Sequence, residues 1–186
     1  SAPIESIISL FFNLDNVSLN SKKILVKHPT IFIFFVISGI YLRKIIYIIT
    51  EDKNYSSLST FLYLTYPYLL GHSFFNVKDI PFLSIWLIST FYIIKITKLF
   101  YKEKKIRNKD LIILAFLTSF LLSIRISGVL ILFEYLIFLL FVINILDFIF
   151  LKFCKLFYKK LILFSLSIII IFYILSPAYW DNPLEV

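Results

Sequence analysis

The sequence has no methionine, one cysteine, three glycines and two histidines among its 186 residues. With Cys154 alone, neither an internal disulfide nor a cysteine-based metal site is possible. The chain contains no glycine-rich phosphate loop, no Cys/His metal-ligand spacing and no internal repeat. It also has no nucleophile beside a base and no evident pair of carboxylates. If the protein is an enzyme, we therefore expect its catalytic acid or base outside these residues.

Apolar residues dominate the composition of the chain. The chain is 60% hydrophobic, contains 22 Phe and 12 Tyr, and has a mean hydropathy of +0.93. Soluble domains are about 45–50% apolar. The apolar residues here form long blocks instead of amphipathic stripes, which indicates that lipid is the solvent. We predict an integral, multi-pass membrane protein of the bacterial inner (plasma) membrane.

Six of these blocks are near the ~20 residues that a helix needs to cross a bilayer. The predicted fold is an all-α polytopic bundle, with spans at 29–50, 57–75, 80–99, 110–127, 128–148 and 161–176. The fourth and fifth blocks form one apolar run that is too long for a single crossing. Arg125 and Gly128 mark the point where this run must fold back.

We predict that residues 1–186 form a single transmembrane domain, which includes the segments at both ends of the chain. Apolar residues at helical spacing in 1–28 suggest an interfacial, extracytoplasmic helix. Residues 177–186 are expected to begin an extracytoplasmic loop. Because the chain begins with Ser1, has no methionine and stops just after a turn, we expect it to be truncated at both ends.

The charges predict how the spans are oriented. Segments 101–109 and 152–160 are strongly basic. If the six spans alternate in direction, both segments lie on the same side of the membrane. Because cytoplasmic loops are enriched in Lys and Arg, that side is predicted to be cytoplasmic. The turn at Lys78 and Asp79, the turn at Arg125 and both ends then lie outside. Lys22, Lys23 and Lys27 count against this orientation but are outweighed. Since the cations lie between apolar blocks, the net charge of +8 does not indicate nucleic-acid binding.

The turn between the second and third predicted spans carries the densest group of polar residues. His72, Asn76, Lys78 and Asp79 lie within eight residues, after Pro67, which should kink or end a helix. Two interpretations stay open. The side chains either satisfy the free ends of two helices, or they form an outward shelf for a phosphate or a hydroxylated substrate.

Arg125 and the C-terminal segment supply the other candidates. Arg125 lies in an apolar stretch, where it either binds an anion, pairs with Glu134 or extends to the interface. Trp180 is interpreted first as an interfacial anchor. Asn182 lies between two prolines in a shaped loop and is a candidate for facing a cavity.

Several local motifs resemble bacterial multi-spanning glycosyltransferases related to the dolichyl-phosphate-mannose protein mannosyltransferases, glycosyltransferase family 39. Segment 73–79 is similar to their Ser-Phe-x-Asn-x-Lys-Asp pattern in the second outer loop. Residues 125–128 resemble an Arg-Ile-x-Gly turn, and 177–183 resemble a Pro-x-x-Trp-x-x-Pro exit from a later span. Lys27-His28 resembles an Arg-His pair, and 2–5 resembles the end of the first outer loop.

The resemblance implies a C-type membrane fold and sugar transfer, on the extracytoplasmic face, from a polyprenyl-phosphate-linked donor to an acceptor hydroxyl. The family's base, an Asp of the first outer loop, would lie upstream of Ser1, so we expect the isolated fragment to be inactive. The implied partners are the lipid-linked donor and membrane lipids, no cofactor is certain, and a divalent metal stays open. The implied substrate-binding residues are His72, Asn76, Lys78, Asp79, Arg125, Trp180 and Asn182.

Two other functions stay open. A multi-spanning transporter or lipid flippase would use charges near the middle of the membrane. The polar residues here gather at one face, and no inverted repeat is visible, which favours the enzyme. A structural membrane subunit without chemistry would tolerate substitution throughout the outer cluster.

Overall fold

The computed structural model describes residues 19–103, 106–145 and 150–176, and every regular element in these ranges is a helix. The predicted all-α class is therefore confirmed. Of the predicted N-terminal interfacial segment, residues 1–18 lie outside the described residues, and residues 19–28 belong to a helix that continues to Thr50. The elements are α1 (Leu19–Thr50), α2 (Lys53–Thr65), α3 (Pro67–His72), α4 (Asp79–Glu103), α5 (Asn108–Ile124), a 3₁₀ helix (Ile126–Leu130), α6 (Ile131–Ile145) and α7 (Phe150–Leu175).

In the described part of the chain, three helices are long and apolar enough to cross a membrane. They are Lys27–Thr50, Asp79–Glu103 and Tyr158–Leu175. These correspond to the first, third and sixth predicted spans. Helices α5 and α6, with 17 and 15 residues, are shorter than the ~20 residues of a full crossing. The predicted count of six spans is thus not confirmed.

The second predicted span is two helices instead of one. Helix α2 ends at Thr65, Tyr66 adopts an extended conformation, and α3 begins at Pro67. A proline disfavours helical geometry in the residue before it, and its ring suits the first position of a new helix. The break that Pro67 predicted is therefore present, one residue before the proline.

The chain forms two compact units, Ser1–Ser84 and Ile85–Val186. The core of the first unit contains Ile31, Phe35 and Ile80, which are almost fully buried. The ring of Tyr63 packs against Phe35, with 5.2 Å between centroids. The Ser38 hydroxyl donates to the Phe35 carbonyl and lies 2.7 Å from the Tyr63 hydroxyl. Helices α1 and α2 thus meet through an apolar core that encloses one satisfied polar pair.

In the second unit, α5 packs against α7 through small residues. Ala115 and Ser119 are completely buried. The Ser119 hydroxyl contacts the carbonyl of Ala115 at 2.8 Å and that of Ile168, in α7, at 3.0 Å. Small side chains let two helix backbones approach closely, which is the usual way helices associate in membranes.

The predicted reversal near Arg125 and Gly128 is present. Helix α5 ends at Ile124, Arg125 is extended, and the 3₁₀ helix leads into α6. The Tyr135 hydroxyl of α6 then lies 3.1 Å from Thr118 Oγ1 of α5. A Cβ atom at Gly128 would lie 2.8 Å from the carbonyl carbon and oxygen of Leu121. The turn therefore requires glycine because backbone passes against backbone.

We expect Gly128→Ala to lower the free energy of unfolding by about 1–3 kcal/mol, because the new methyl group meets rigid backbone. Unfolding by SDS in mixed micelles, followed by circular dichroism, measures this change. Gly71→Ala is the matched control. A Cβ at Gly71 has no atom within 4 Å, and alanine is the better helix former, so stability should rise by at most ~1 kcal/mol. Equal effects of the two substitutions would contradict the packing argument.

Candidate functional site

The turn between α3 and α4 joins three of the predicted site residues by hydrogen bonds. The Asn76 amide group donates through Nδ2 to Asp79 Oδ2 at 2.8 Å and lies 3.3 Å from His72 Nδ1. The His72 ring is held between Tyr68 and Phe75, at centroid distances of 4.4 and 5.1 Å. We call His72, Asn76, Lys78 and Asp79 the turn cluster. Its central residue is Asn76.

The other end of the Asn76 side chain caps helix α4. Its Oδ1 atom accepts the backbone N–H groups of Lys78, at 3.3 Å, and Asp79, at 2.9 Å. The first N–H groups of a helix have no partner within the helix, and an Asn side chain commonly supplies one. The first of the two interpretations, in which polar side chains satisfy a helix end, therefore holds for Asn76.

Capping does not account for the charged members of the cluster. Lys78 and Asp79 are neighbours in sequence, and both are exposed. The contact with Asn76 fixes the Asp79 carboxylate at the first turn of α4. An ammonium group and a carboxylate at one turn provide donors for a phosphate and an acceptor for a hydroxyl group.

Arg125 belongs to the second unit. It is exposed at the reversal between α5 and the 3₁₀ helix. Its backbone N–H donates to the Leu121 carbonyl at 3.0 Å, and its carbonyl accepts from Gly128 N–H at 2.9 Å. These two bonds fix the backbone from which the guanidinium extends. Trp180 and Asn182, the remaining predicted site residues, lie outside the described residues.

Glu134 has a partner that the sequence did not indicate. Its Oε2 atom accepts a hydrogen bond of 2.7 Å from the indole Nε1 of Trp86, in α4. Its other oxygen, Oε1, is buried and has no hydrogen-bond partner within the described ranges. A buried polar atom without a partner costs about 1–3 kcal/mol. The available signal was an ionisable residue inside an apolar run.

A buried ionic group connects the basic ends of α4 and α5. The Asp110 carboxylate is 3% exposed, and it accepts from Lys95 Nζ at 3.1 Å and from Arg107 Nε at 2.7 Å. Two cations on one buried carboxylate satisfy both of its oxygens, so the charge is tolerated. In the sequence, Arg107 is one of the cations of the basic segment 101–109. Its contact with Asp110 gives it a structural role as well.

The second unit also contains an apolar cleft of about 240 Å³ between α4, α5, α6 and α7. Branched and aromatic side chains such as Ile93, Leu114, Leu136 and Phe164 line it, and Lys160 is its one charged lining residue. Lys160 also hydrogen-bonds to Asn108 Oδ1. The cleft is smaller than the ~300–1,000 Å³ pockets that enclose whole ligands. It fits one segment of a hydrocarbon chain.

In the part of the chain that the structure describes, no three His, Cys, Asp or Glu residues are grouped so that they could hold a metal ion. Comparison with models of known protein families, with curated proteins and with solved structures finds no match for this chain. The resemblance to family 39 therefore stays a hypothesis based on local motifs, and the site must be judged on its own geometry.

We expect a double-mutant cycle on Trp86 and Glu134 to give a coupling of about 1–3 kcal/mol in the free energy of unfolding. Trp86→Phe removes the donor to Glu134 Oε2 and leaves a buried carboxylate without that hydrogen bond. In a Glu134→Leu background, Trp86→Phe removes an indole N–H whose acceptor, Glu134 Oε2, is already absent. SDS unfolding followed by circular dichroism measures both steps. Identical costs in the two backgrounds would show that the hydrogen bond does not contribute.

Proposed function

We propose that this chain is part of a multi-spanning membrane glycosyltransferase. It would transfer a sugar from a polyprenyl-phosphate-linked donor to an acceptor hydroxyl at the extracytoplasmic face of a bacterial plasma membrane. The observation that carries the proposal is the turn cluster, in which Asn76 holds Asp79 and His72 beside the exposed Lys78.

The turn cluster suits the chemistry of a lipid-borne donor. Such a donor presents its phosphate at the membrane surface, and α4, the helix that begins at Asp79, is long and apolar enough to cross the membrane. Lys78, which is exposed, would offset the negative charge that develops on the departing phosphate. Asp79, as a fixed acceptor, would orient a sugar or acceptor hydroxyl. Arg125 is assigned to the lipid phosphate.

We further propose that the chain crosses the bilayer six times. The α2–α3 segment would form one crossing, and the short helices α5 and α6 would form two, with thinning of the lipid around them.

We expect Asp79→Asn and Arg125→Gln each to reduce sugar transfer by about 10²–10³-fold, because each removes a charge that orients or stabilises the reacting groups. Transfer is measured in membranes of cells expressing the gene, with a radiolabelled polyprenyl-phosphate sugar as donor. The asparagine oxygen can still accept from the Asn76 amide, so the cap of α4 should survive Asp79→Asn.

Asp52→Asn is the matched control. The Asp52 carboxylate caps α2 by accepting from the N–H groups of Asn54 and Tyr55, and asparagine caps helices equally well. This control should retain activity within about twofold, since it changes a charge without altering the cap. Wild-type transfer in both Asp79→Asn and Arg125→Gln would show that the assigned roles are wrong.

One observation favours the second candidate, a transporter. Glu134 Oε1, which is buried and has no hydrogen-bond partner among the described residues, resembles the intramembrane carboxylates that bind a transported cation or proton. On this hypothesis Glu134→Gln would abolish ion-dependent uptake into proteoliposomes, whereas Asp79→Asn would leave uptake unchanged. On the glycosyltransferase proposal no such uptake exists in the wild-type protein. The wild-type flux measurement therefore separates the two candidates.

A further inference from the structure

A basic cleft of about 370 Å³ lies in the first unit, at the junction of α1 and α2. The residues that line it are Ile40, Arg43, Lys44, Tyr47, Lys53 and Ser56. Three of these six carry a positive charge, and all three are exposed. The volume is within the ~300–1,000 Å³ range of small-ligand sites. The turn cluster shares no residue with this cleft.

The connection between the two helices determines where the cations point. Glu51 adopts a left-handed conformation, with φ 56°, and reverses the chain. Asp52 then caps α2, so its carboxylate is engaged by backbone N–H groups. Ser56 is 1% exposed, and its hydroxyl donates to the Lys53 carbonyl at 2.9 Å. Cations from the end of α1 and the start of α2 therefore face one cleft.

The cleft also has an apolar side, at the end of a helix that can cross a membrane. Ile40 and Tyr47 are 50% and 44% exposed, and both belong to the stretch Lys27–Thr50. Lys44 Nζ lies over the Tyr41 ring, 4.6 Å from its centroid. Cations and tyrosines typically occur where a span leaves the hydrocarbon for the head-group region. The charged and apolar sides together match an amphiphile and not a free anion.

We propose that the basic cleft binds an anionic glycerophospholipid. Arg43, Lys44 and Lys53 would contact the head-group phosphate, and Ile40 and Tyr47 would contact the upper part of an acyl chain. Anionic lipids are the abundant anions at this level of a membrane, and basic pockets between helices are known to bind their head groups. This binding is independent of the proposed sugar transfer.

The test uses the purified full chain in a non-ionic detergent, titrated with dioleoylphosphatidylglycerol or dioleoylphosphatidylcholine. Bound lipid is counted by native mass spectrometry. We expect the wild-type protein to bind phosphatidylglycerol about tenfold more tightly or better, because this lipid has a net negative charge, whereas the choline of phosphatidylcholine offsets its phosphate. The triple variant Arg43→Gln/Lys44→Gln/Lys53→Gln should lose this preference.

Two further variants keep the test specific. Lys102→Gln/Lys109→Gln/Lys159→Gln removes the same charge from exposed residues that do not line the cleft, and it should leave the affinity within about twofold. Arg43→Lys/Lys44→Arg/Lys53→Arg keeps the charge and should keep the preference. Circular dichroism of each variant checks that helicity is preserved.

Three results would overturn the proposal. The first is equal binding of the two lipids by the wild-type protein. The second is an equal loss of affinity in the cleft variant and in the control variant, which would indicate a general charge effect. The third is full displacement of phosphatidylglycerol by millimolar inorganic phosphate, which would identify an anion site without lipid specificity.

Discussion

Hydrogen-bonding groups in an apolar environment must find their partners within the chain, because lipid offers none. Helices satisfy the backbone, and many serine and threonine hydroxyls in the described residues donate to a carbonyl of their own helix. Ser84, Ser89 and Thr118 are buried, and each donates to the carbonyl four residues earlier, at 2.7–2.9 Å. A sequence this apolar can therefore contain many buried serines and threonines without the cost of unsatisfied groups.

The same groups also connect neighbouring helices. The Ser38–Tyr63 hydroxyl pair joins α1 to α2, and Ser119 reaches the Ile168 carbonyl of α7. Against this pattern of satisfied groups, the buried Oε1 atom of Glu134 is an exception among the described residues. Other polar side chains remain exposed, in the turn cluster and in the basic cleft. Those are the places that a ligand can reach.

Hydropathy predicted the helical class and the position of α4, because a continuous apolar block determines both. It could not reveal the break at Tyr66, because averaging over about 19 residues conceals a single extended residue; only Pro67 indicated it. The capping role of Asn76 was one of two interpretations, because a short polar turn can either satisfy the ends of helices or bind a substrate. The Trp86–Glu134 bond was not predictable, because it depends on how residues 48 positions apart are aligned in the fold.

The reversal at Gly128 has a consequence for how the protein is made. Helices α5 and α6 contain 17 and 15 residues, so neither alone offers the lipid the length of a normal crossing. The close passage of the turn against the Leu121 backbone holds the pair together as a hairpin. On the proposed six-span topology, α5 remains beside the translocation machinery during biosynthesis until α6 has emerged. The two then enter the bilayer as a single insertion unit, and a chain interrupted between them would leave α5 outside it.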